Sequence, residues 1–288
     1  MPVKTIKVDN LTKTSRLDRV LIDALPDVGR KAVNQLIQDK QVQVNGKTVW
    51  LNSWKVKNGD TLILLSMPDS LPESVQSFDD NWIIADDGDV IALNKPAGLL
   101  SQKTKYGKQP DLLSMAEARF GKVILFHRLD RDTSGVILLT RGGAINRYLD
   151  TAFKTKTIIK QYVALASVPN RLSEAGTIQL RLDSQPGKSN RMQVVERGGK
   201  LAITDYRAEK AGNQQQLVYL TPKTGRTHQL RVHLAHYDAP ILGDRIYSQN
   251  AEKYERLYLH AHQITLPETD GFPERTFTAS LPDSFDDV

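Results

Sequence analysis

The stretch Phe126-His127-Arg128-Leu129-Asp130-Arg131-Asp132-Thr133-Ser134-Gly135 runs directly into Val136-Ile137-Leu138-Leu139. The apolar run reads as a buried strand, and the polar cluster before it as a turn or loop feeding that strand. Two carboxylates, two guanidiniums, a histidine and a Thr-Ser pair are thereby fixed beside the core. Burying so much charge is expensive unless each group is paired. Loops placed by a rigid strand are where chemistry tends to sit. The fold must therefore supply partners to this one loop.

The 288 residues suffice for about two domains. Charge is unevenly spread: residues 1–67 hold eleven Lys or Arg against six Asp or Glu, whereas residues 68–91 hold seven acids and no base. Met67-Pro68-Asp69-Ser70-Leu71-Pro72 has two prolines and few large apolar groups. A domain is accordingly expected over 1–67, a linker over 68–80 and a second domain over 81–288. No apolar run approaches the roughly 20 residues that span a bilayer. Met1 to Lys13 has no apolar signal-peptide core, so a cytoplasmic location is expected. The absence of cysteine excludes disulfides, thiolate nucleophiles and cysteine-based zinc sites. A net charge of +6 is compatible with a nucleic-acid partner.

In the first domain, Arg16 to Ile22 and Gly29 to Ile37 have helical spacing, the second with Val33, Leu36 and Ile37 on one face. Val42-Gln43-Val44-Asn45-Gly46-Lys47-Thr48-Val49 reads as a hairpin, because Asn-Gly suits a two-residue turn. An apolar strand follows at 61–65. In the second domain, strands are expected at 90–94, 136–140, 158–166, 177–182, 192–195, 216–221 and 256–265, and helices near 112–119, 143–155 and 226–237. Without regular βαβ alternation, this is an α+β fold with a mixed, largely antiparallel sheet.

The chemistry-bearing residues leave alternatives open. Asp130 and Asp132 could act in acid–base catalysis or bind a divalent cation. Arg128 and Arg131 lie among them and lower the need for a metal. A salt-bridged turn, with Asp132 capping the amides of Thr133 or Ser134, competes with both. His233 and His236 lack a carboxylate in zincin spacing, so no metal site is expected. Thr224-Gly225-Arg226-Thr227 lacks the glycine and lysine spacing of a P-loop, so no nucleotide cofactor is expected. Lys154, Lys156 and Lys160 precede the strand of Tyr162, whose ring is either a core or edge aromatic or a platform for a base. Lys188, Arg191, Arg197 and Lys200 extend the positive surface and suit phosphate contacts.

Two resemblances add to this reading. Arg16-Leu17-Asp18, Arg30-Lys31, Val42-Gln43-Val44-Asn45-Gly46 and Val56-Lys57-Asn58-Gly59-Asp60 resemble the alpha-L RNA-binding module named after a ribosomal small-subunit protein. That implies a small α+β domain whose Arg30 and Lys31 face RNA phosphates. The second domain resembles the RluA-type pseudouridine synthases. Their signature His-Arg-Leu-Asp-x-x-Thr-Ser-Gly is matched in full by residues 127–135. Asn94-Lys95-Pro96-Ala97-Gly98-Leu99, Lys160-x-Tyr162, Lys200-x-Ala202-x-Thr204-x-Tyr206, Thr224 to His233, Pro240 to Asp244 and Arg256-Leu257-x-Leu259-His260-Ala261 follow the family in order. After Gly98 and after Ala261 the chain departs from it, with Leu99-Leu100-Ser101-Gln102 and Ile264-Thr265-Leu266-Pro267.

The resemblance implies an RNA isomerase that needs no cofactor, nucleotide or metal. It implies Asp130 as the catalytic carboxylate, Arg231 as its pairing cation and Tyr162 as the ring stacked on a flipped uracil. Leu259 would pack beside that base, and Arg128 would enter the space it vacates. Lys154 and Lys160 would contact RNA. The implied partner is structured RNA, large-subunit rRNA first and tRNA second, and the chain is expected to be a monomer. The readings that compete are a non-catalytic RNA-binding protein with the same fold and a metal-dependent phosphoesterase.

Overall fold

The structure is a computed structural model that describes residues 4–9, 11, 13–25, 30–65, 77–103, 109–186, 191–210, 215–269 and 271–285, without the side chains of 30–32 and 210. Most of the expected linker, the side chains of Arg30 and Lys31, and Lys188 lie outside the described residues. The chain divides into two compact units, Met1–Ser77 with Gln102–Ser114, and Phe78–Ser101 with Met115–Val288.

The first unit pairs two helices with small sheets. Helix α1 (Leu17–Ala24) buries Leu17, Val20 and Leu21, the i, i+3, i+4 face of an amphipathic helix. Helix α2 (Arg30–Gln38) turns Val33, Leu36 and Ile37 into the same core. Strands β1 (Lys4–Lys7), β3 (Val42–Val44), β4 (Lys47–Val49) and β6 (Thr61–Leu64) form an antiparallel sheet in the order β1-β6-β3-β4. Strands β2 (Ser15–Arg16) and β5 (Lys55–Val56) pair separately. Between β3 and β4, Asn45 and Gly46 both take positive φ, 50° and 78°. That is the left-handed twist a two-residue hairpin requires.

The second unit is built on one large sheet. Its strands are β7 (Ile83–Asp86), β8 (Val90–Lys95), β9 (Ile124–Leu125), β10 (Ser134–Thr140), β11 (Ile159–Ser167), β12 (Ala175–Ser184), β13 (Met192–Val194), β14 (Lys200–Lys210), β15 (Gln215–Pro222), β16 (Leu259–Leu266) and β17 (Arg275–Thr278). The main order is β13-β12-β14-β15-β11-β16-β10-β8-β7, with β17 on β16 and β9 on β10. The pair β10–β16 is parallel; the other described pairs are antiparallel. Every residue of β10 is buried, as its unbroken apolar run requires.

Two helices cover this sheet. Helix α4 (Ala144–Thr155) packs Ile145, Tyr148, Leu149 and Ala152 onto Val90, Ala92, Val136 and Leu138. Helix α5 (Gln229–His236) puts Leu230 and Leu234 among Val163, Leu165, Ile178, Val218 and Leu220. A further helix, α3 (Leu112–Phe120), precedes β9.

Two expectations shift. The helix expected over 226–237 begins only at Gln229, because His228 has φ of +53°, outside right-handed helical space. Strand β14, eleven residues long, has no counterpart among the expected strands. Its inward positions are Ala202, Thr204 and Tyr206, too weakly apolar to signal alternation.

Candidate active site

The loop 126–133 sits between β9 and β10 and is pinned on both sides of Asp130. The Ser101 hydroxyl donates to the Leu129 carbonyl at 2.8 Å and accepts the Leu129 N–H at 3.1 Å. The Lys95 ammonium, fully buried, donates to the carbonyls of Pro96 (2.9 Å), Leu99 (2.7 Å) and Arg131 (2.9 Å). The Gly98 N–H donates to the Arg131 carbonyl as well, at 2.9 Å. Upstream, His127 accepts the Leu138 N–H on Nε2 at 3.0 Å. Burial, then the charge of Lys160, pushes this imidazole down to about 3, so it accepts as a neutral ring.

Burial likewise pulls Lys95 down to about 7, against the charges of Asp132 and Asp130 that raise it. The geometry favours the charged form. Three acceptors match the three protons of an ammonium, and a neutral amine would turn its lone pair toward a carbonyl.

Asp132 pairs with its neighbour, accepting from Arg131 Nε at 2.8 Å. It does not cap the turn as expected. The Thr133 N–H donates instead to the Asp130 carbonyl at 3.2 Å, because the two turn residues between them close that shorter ring. The Ser134 hydroxyl lies 2.8 Å from His260 Nδ1 and accepts from Arg256 Nη2, so the turn is tied to β16. At Gly135, φ is +113° and an added Cβ would stand 2.2 Å from the Ala261 carbonyl oxygen. Only glycine lets β10 pass β16 this closely.

Asp130 is left with its side chain 33% exposed, while that of Arg231 on α5 is only 4% exposed. Their contact is made through one nitrogen and is not a bidentate fork. Arg231 spends the fork on Asp244, through Nε to Oδ2 and Nη2 to Oδ1, each 2.7 Å. Its remaining nitrogen, Nη1, reaches Asp130 Oδ2 at 3.4 Å. The reason is burial: Asp244 is fully enclosed and needs the full pairing, whereas Asp130 keeps contact with water. Asp244 Oδ1 also accepts the N–H groups of Ile246 (2.9 Å) and Tyr247 (3.1 Å). Burial alone would lower the Arg231 pKa; the hydrogen bonds and charge of Asp244, with the charge of Asp130, hold it above its ordinary value.

The other expected site residues fall in two groups. Tyr162 lies half-buried on β11 opposite Ala261 and Leu220, and Leu259 is buried at the start of β16 in the same apolar cluster. Burial and the charge of Asp130 raise the Tyr162 phenol's pKa. Lys160 is half-buried, its pKa lowered by burial, and its Nζ lies beside Gly225. Of these, Tyr162 lies near enough to Asp130 to feel its charge. Arg128 is exposed, and among the described residues nothing pairs with it. Lys154 lies away on α4 in an exposed pair with Asp150 at 2.6 Å.

Four residues of the site were not singled out from the sequence: Lys95, His228, Asp244 and Tyr247. Asp244 carried a signal, since it follows Gly243 in a short Pro-Ile-Leu-Gly-Asp turn. Gly243 has φ of +72°, and an added Cβ would stand 1.7 Å from the Arg256 carbonyl oxygen. Among the described residues no group of three or more His, Asp or Glu could hold a metal ion. Among the described residues the two ring nitrogens of His233 have no hydrogen-bond partner, and burial followed by the charge of His236 pushes that ring down to about 4.

Comparison with known proteins gives this arrangement its context. The sequence profile of RNA pseudouridylate synthases matches residues 89–236, and that of the S4 domain matches residues 15–62. The ribosomal large subunit pseudouridine synthase C of Rickettsia felis is 31% identical, over 96% of this chain and 97% of its own. An RNA pseudouridine synthase of Mycoplasma pneumoniae is 32% identical, over 96% and 93%. Among solved structures, human RNA pseudouridylate synthase domain containing 1 superposes with a TM-score of 0.62 at 26% identity, covering 75% of this chain and 89% of that one.

Proposed function

The chain belongs to the RNA pseudouridylate synthase family, and we propose that it isomerises specific uridines of large-subunit rRNA through Asp130. One observation carries the reading: a half-exposed carboxylate beside a buried cation, at the end of a strand whose feeding loop is fixed on both sides. Such a carboxylate can meet a substrate while Nη1 of Arg231 stays 3.4 Å from its Oδ2.

The reaction breaks the bond between N1 of uracil and C1′ of ribose, turns the base and joins C5 to C1′. The C5 proton leaves and N1 gains one, so no net redox change occurs. Asp130 acts on the sugar, as nucleophile or as base. A base in a duplex must first leave its stack, which costs a few kcal/mol. Arg128, exposed and unpaired among the described residues, fills the vacated space. Tyr162 takes the face of the flipped uracil, with Leu259 packed beside it. The domains divide this work: residues 1–67 dock RNA through Arg30 and Lys31, residues 68–80 link, and residues 81–288 catalyse, with Lys154 and Lys160 along the phosphate path. The enzyme acts as a monomer in the cytoplasm. No helix is long and apolar enough to cross a membrane among the described residues.

The rRNA target rests on the names of relatives matched along nearly their whole length. Mapping pseudouridines in total RNA with and without the gene tests it; a loss confined to tRNA would redirect the assignment. Asp130→Asn tests the site. It should abolish tritium release from RNA carrying uridine tritiated at C5, while RNA binding persists. Near-normal release would refute the role of Asp130.

A further inference from the structure

Asp130 has two carboxylate oxygens, and among the described residues a single one of them, Oδ2, is engaged. Arg231 Nη1 lies 3.4 Å from Oδ2, and His228 Nε2 lies 3.7 Å from the same oxygen. The other end of the His228 ring is held. Its Nδ1 lies 3.0 Å from the Tyr247 hydroxyl, and the two rings meet edge to face at 88°. The Tyr247 oxygen already accepts the Met192 N–H at 2.9 Å. The guanidiniums of Arg231 and Arg191 lie 5.4 Å and 5.5 Å from the Tyr247 ring centre, so the phenol itself is clamped.

This network decides where the His228 protons sit. Burial raises the Tyr247 pKa, so its hydroxyl keeps its proton at neutral pH. In a neutral imidazole, that proton is donated to Nδ1, and Nε2 carries the ring's own hydrogen. The opposite tautomer would set an Nε2 lone pair against a carboxylate. In an imidazolium both nitrogens carry hydrogen. Either way an Nε2–H faces Asp130. The ring is also carried on strained backbone: His228 has φ of +53° immediately before α5, the helix of Arg231. Left-handed backbone in a non-glycine residue persists where surrounding structure enforces it, often at functional sites.

We propose that His228 is a positioning residue for the isomerisation: its Nε2–H, fixed by Tyr247 and 3.7 Å from Oδ2 of Asp130, draws that oxygen electrostatically beside Arg231 and leaves the other oxygen to face the ribose. The proposal rests on Asp130 as the catalytic carboxylate. It divides the labour around that group. Arg231 supplies charge, and His228 supplies direction. Without the second contact the carboxylate swings about Nη1 alone, and misplacement of a reacting atom by about 1 Å can cost on the order of 10²-fold in rate.

The test compares His228→Phe, His228→Gln and Tyr247→Phe in the full chain. The substrate is an unmodified large-subunit rRNA transcript carrying uridine tritiated at C5. His228→Phe keeps a flat ring without donors and should lower kcat by about 10²-fold with KM little changed. His228→Gln brings an amide N–H near the place of Nε2 and should recover most of that loss. Tyr247→Phe should lower kcat by a smaller factor, and add nothing further in the His228→Phe background, because it acts through the same ring. A folded His228→Phe enzyme with the wild-type kcat would overturn the proposal. So would a His228→Gln no better than Phe, or an effect confined to KM. If His228→Phe does not fold, Tyr247→Phe at the full wild-type rate overturns it alone. Asp130→Asn assayed alongside keeps the two levels apart. Turnover there refutes the site itself, whereas an inactive Asp130→Asn with a fully active His228→Phe refutes only the role of His228.

Discussion

Replacing Arg231 with methionine should cost the protein both stability and activity, and the two losses should be separable. Methionine matches the length of the arginine stem but offers no charge or donor. Asp244, fully buried, would keep the amides of Ile246 and Tyr247 and lose its fork of two 2.7 Å hydrogen bonds. Breaking one side of a buried ion pair costs about 3–5 kcal/mol, because the remaining charge stays buried. The two retained amides place Asp244 at the lower end, about 3 kcal/mol. For a unit of this size each kcal/mol lowers Tm by roughly 2–4 °C, so calorimetry should show a drop of roughly 6–12 °C. Turnover should vanish as well, since Asp130 loses Nη1. Adding Asp244→Asn removes the stranded charge and keeps an acceptor for both amides. The double variant should therefore regain most of the lost Tm and none of the turnover. If turnover returns together with stability, Arg231 serves Asp244 alone. If the single variant melts like the wild type, the account of one cation shared by two carboxylates is wrong.

Two further outcomes follow from groups that the sequence left in the background. Lys95→Met would strip three carbonyls of a buried cationic donor; at about 1.5–3 kcal/mol for each hydrogen bond to a charged group, urea unfolding should show at least about 4.5 kcal/mol of destabilisation. A loss below about 1 kcal/mol would mean that the loop is held by other contacts. The second outcome concerns acid. Burial holds His233 and His260 neutral, each down to about 4 against an ordinary value near 6.5. Below about 6.5 the unfolded chain gains protons that the folded chain refuses, so this stability is fully present above 6.5 and lost as pH falls toward 4. The slope is about 1.4 kcal/mol per pH unit for each ring. Urea midpoints at pH 7, 6 and 5 should show it, and His233→Met should remove one ring's share; an unchanged slope would show that His233 takes up protons in the folded state.

Much of this architecture was legible because local signals and tertiary demand agree. Asn45-Gly46 between alternating valines gave a hairpin, and both residues adopt the positive φ that such a turn requires. The run after Ser134 gave a strand buried on both faces, and it lies between β16 and β8. Legibility failed where a residue's role depends on something distant in sequence. Strand β14 buries Ala202, Thr204 and Tyr206, which alternate in space but hardly in hydrophobicity. Helix α5 is buried at every position from Gln229 to Leu234, so no amphipathic period marks where it begins, and its first turn is set by the strained His228.

The same limit explains why the carboxylate that shapes the site was passed over. Reading outward from residues 127–135, Asp132 is the natural second acid, two residues from Asp130. It satisfies itself on the adjacent Arg131, which needs no tertiary structure at all. The acid that shapes the site is Asp244, a buried neighbour of Gly243 more than a hundred residues away. A positive φ at Gly243 lets that turn press against the Arg256 carbonyl, so no larger residue fits there. The turn delivers a full negative charge to Arg231 before any substrate arrives. That charge locks the guanidinium plane through two hydrogen bonds and leaves Nη1 pointing at Asp130. A lone Arg–Asp pair would place the strongest fork on the working carboxylate and hold both its oxygens. Supplying a second, buried carboxylate diverts the fork, so the cation is rigid yet touches Asp130 through one nitrogen. The second oxygen of Asp130 is then left without a partner among the described residues because Asp244, not Asp130, takes the fork.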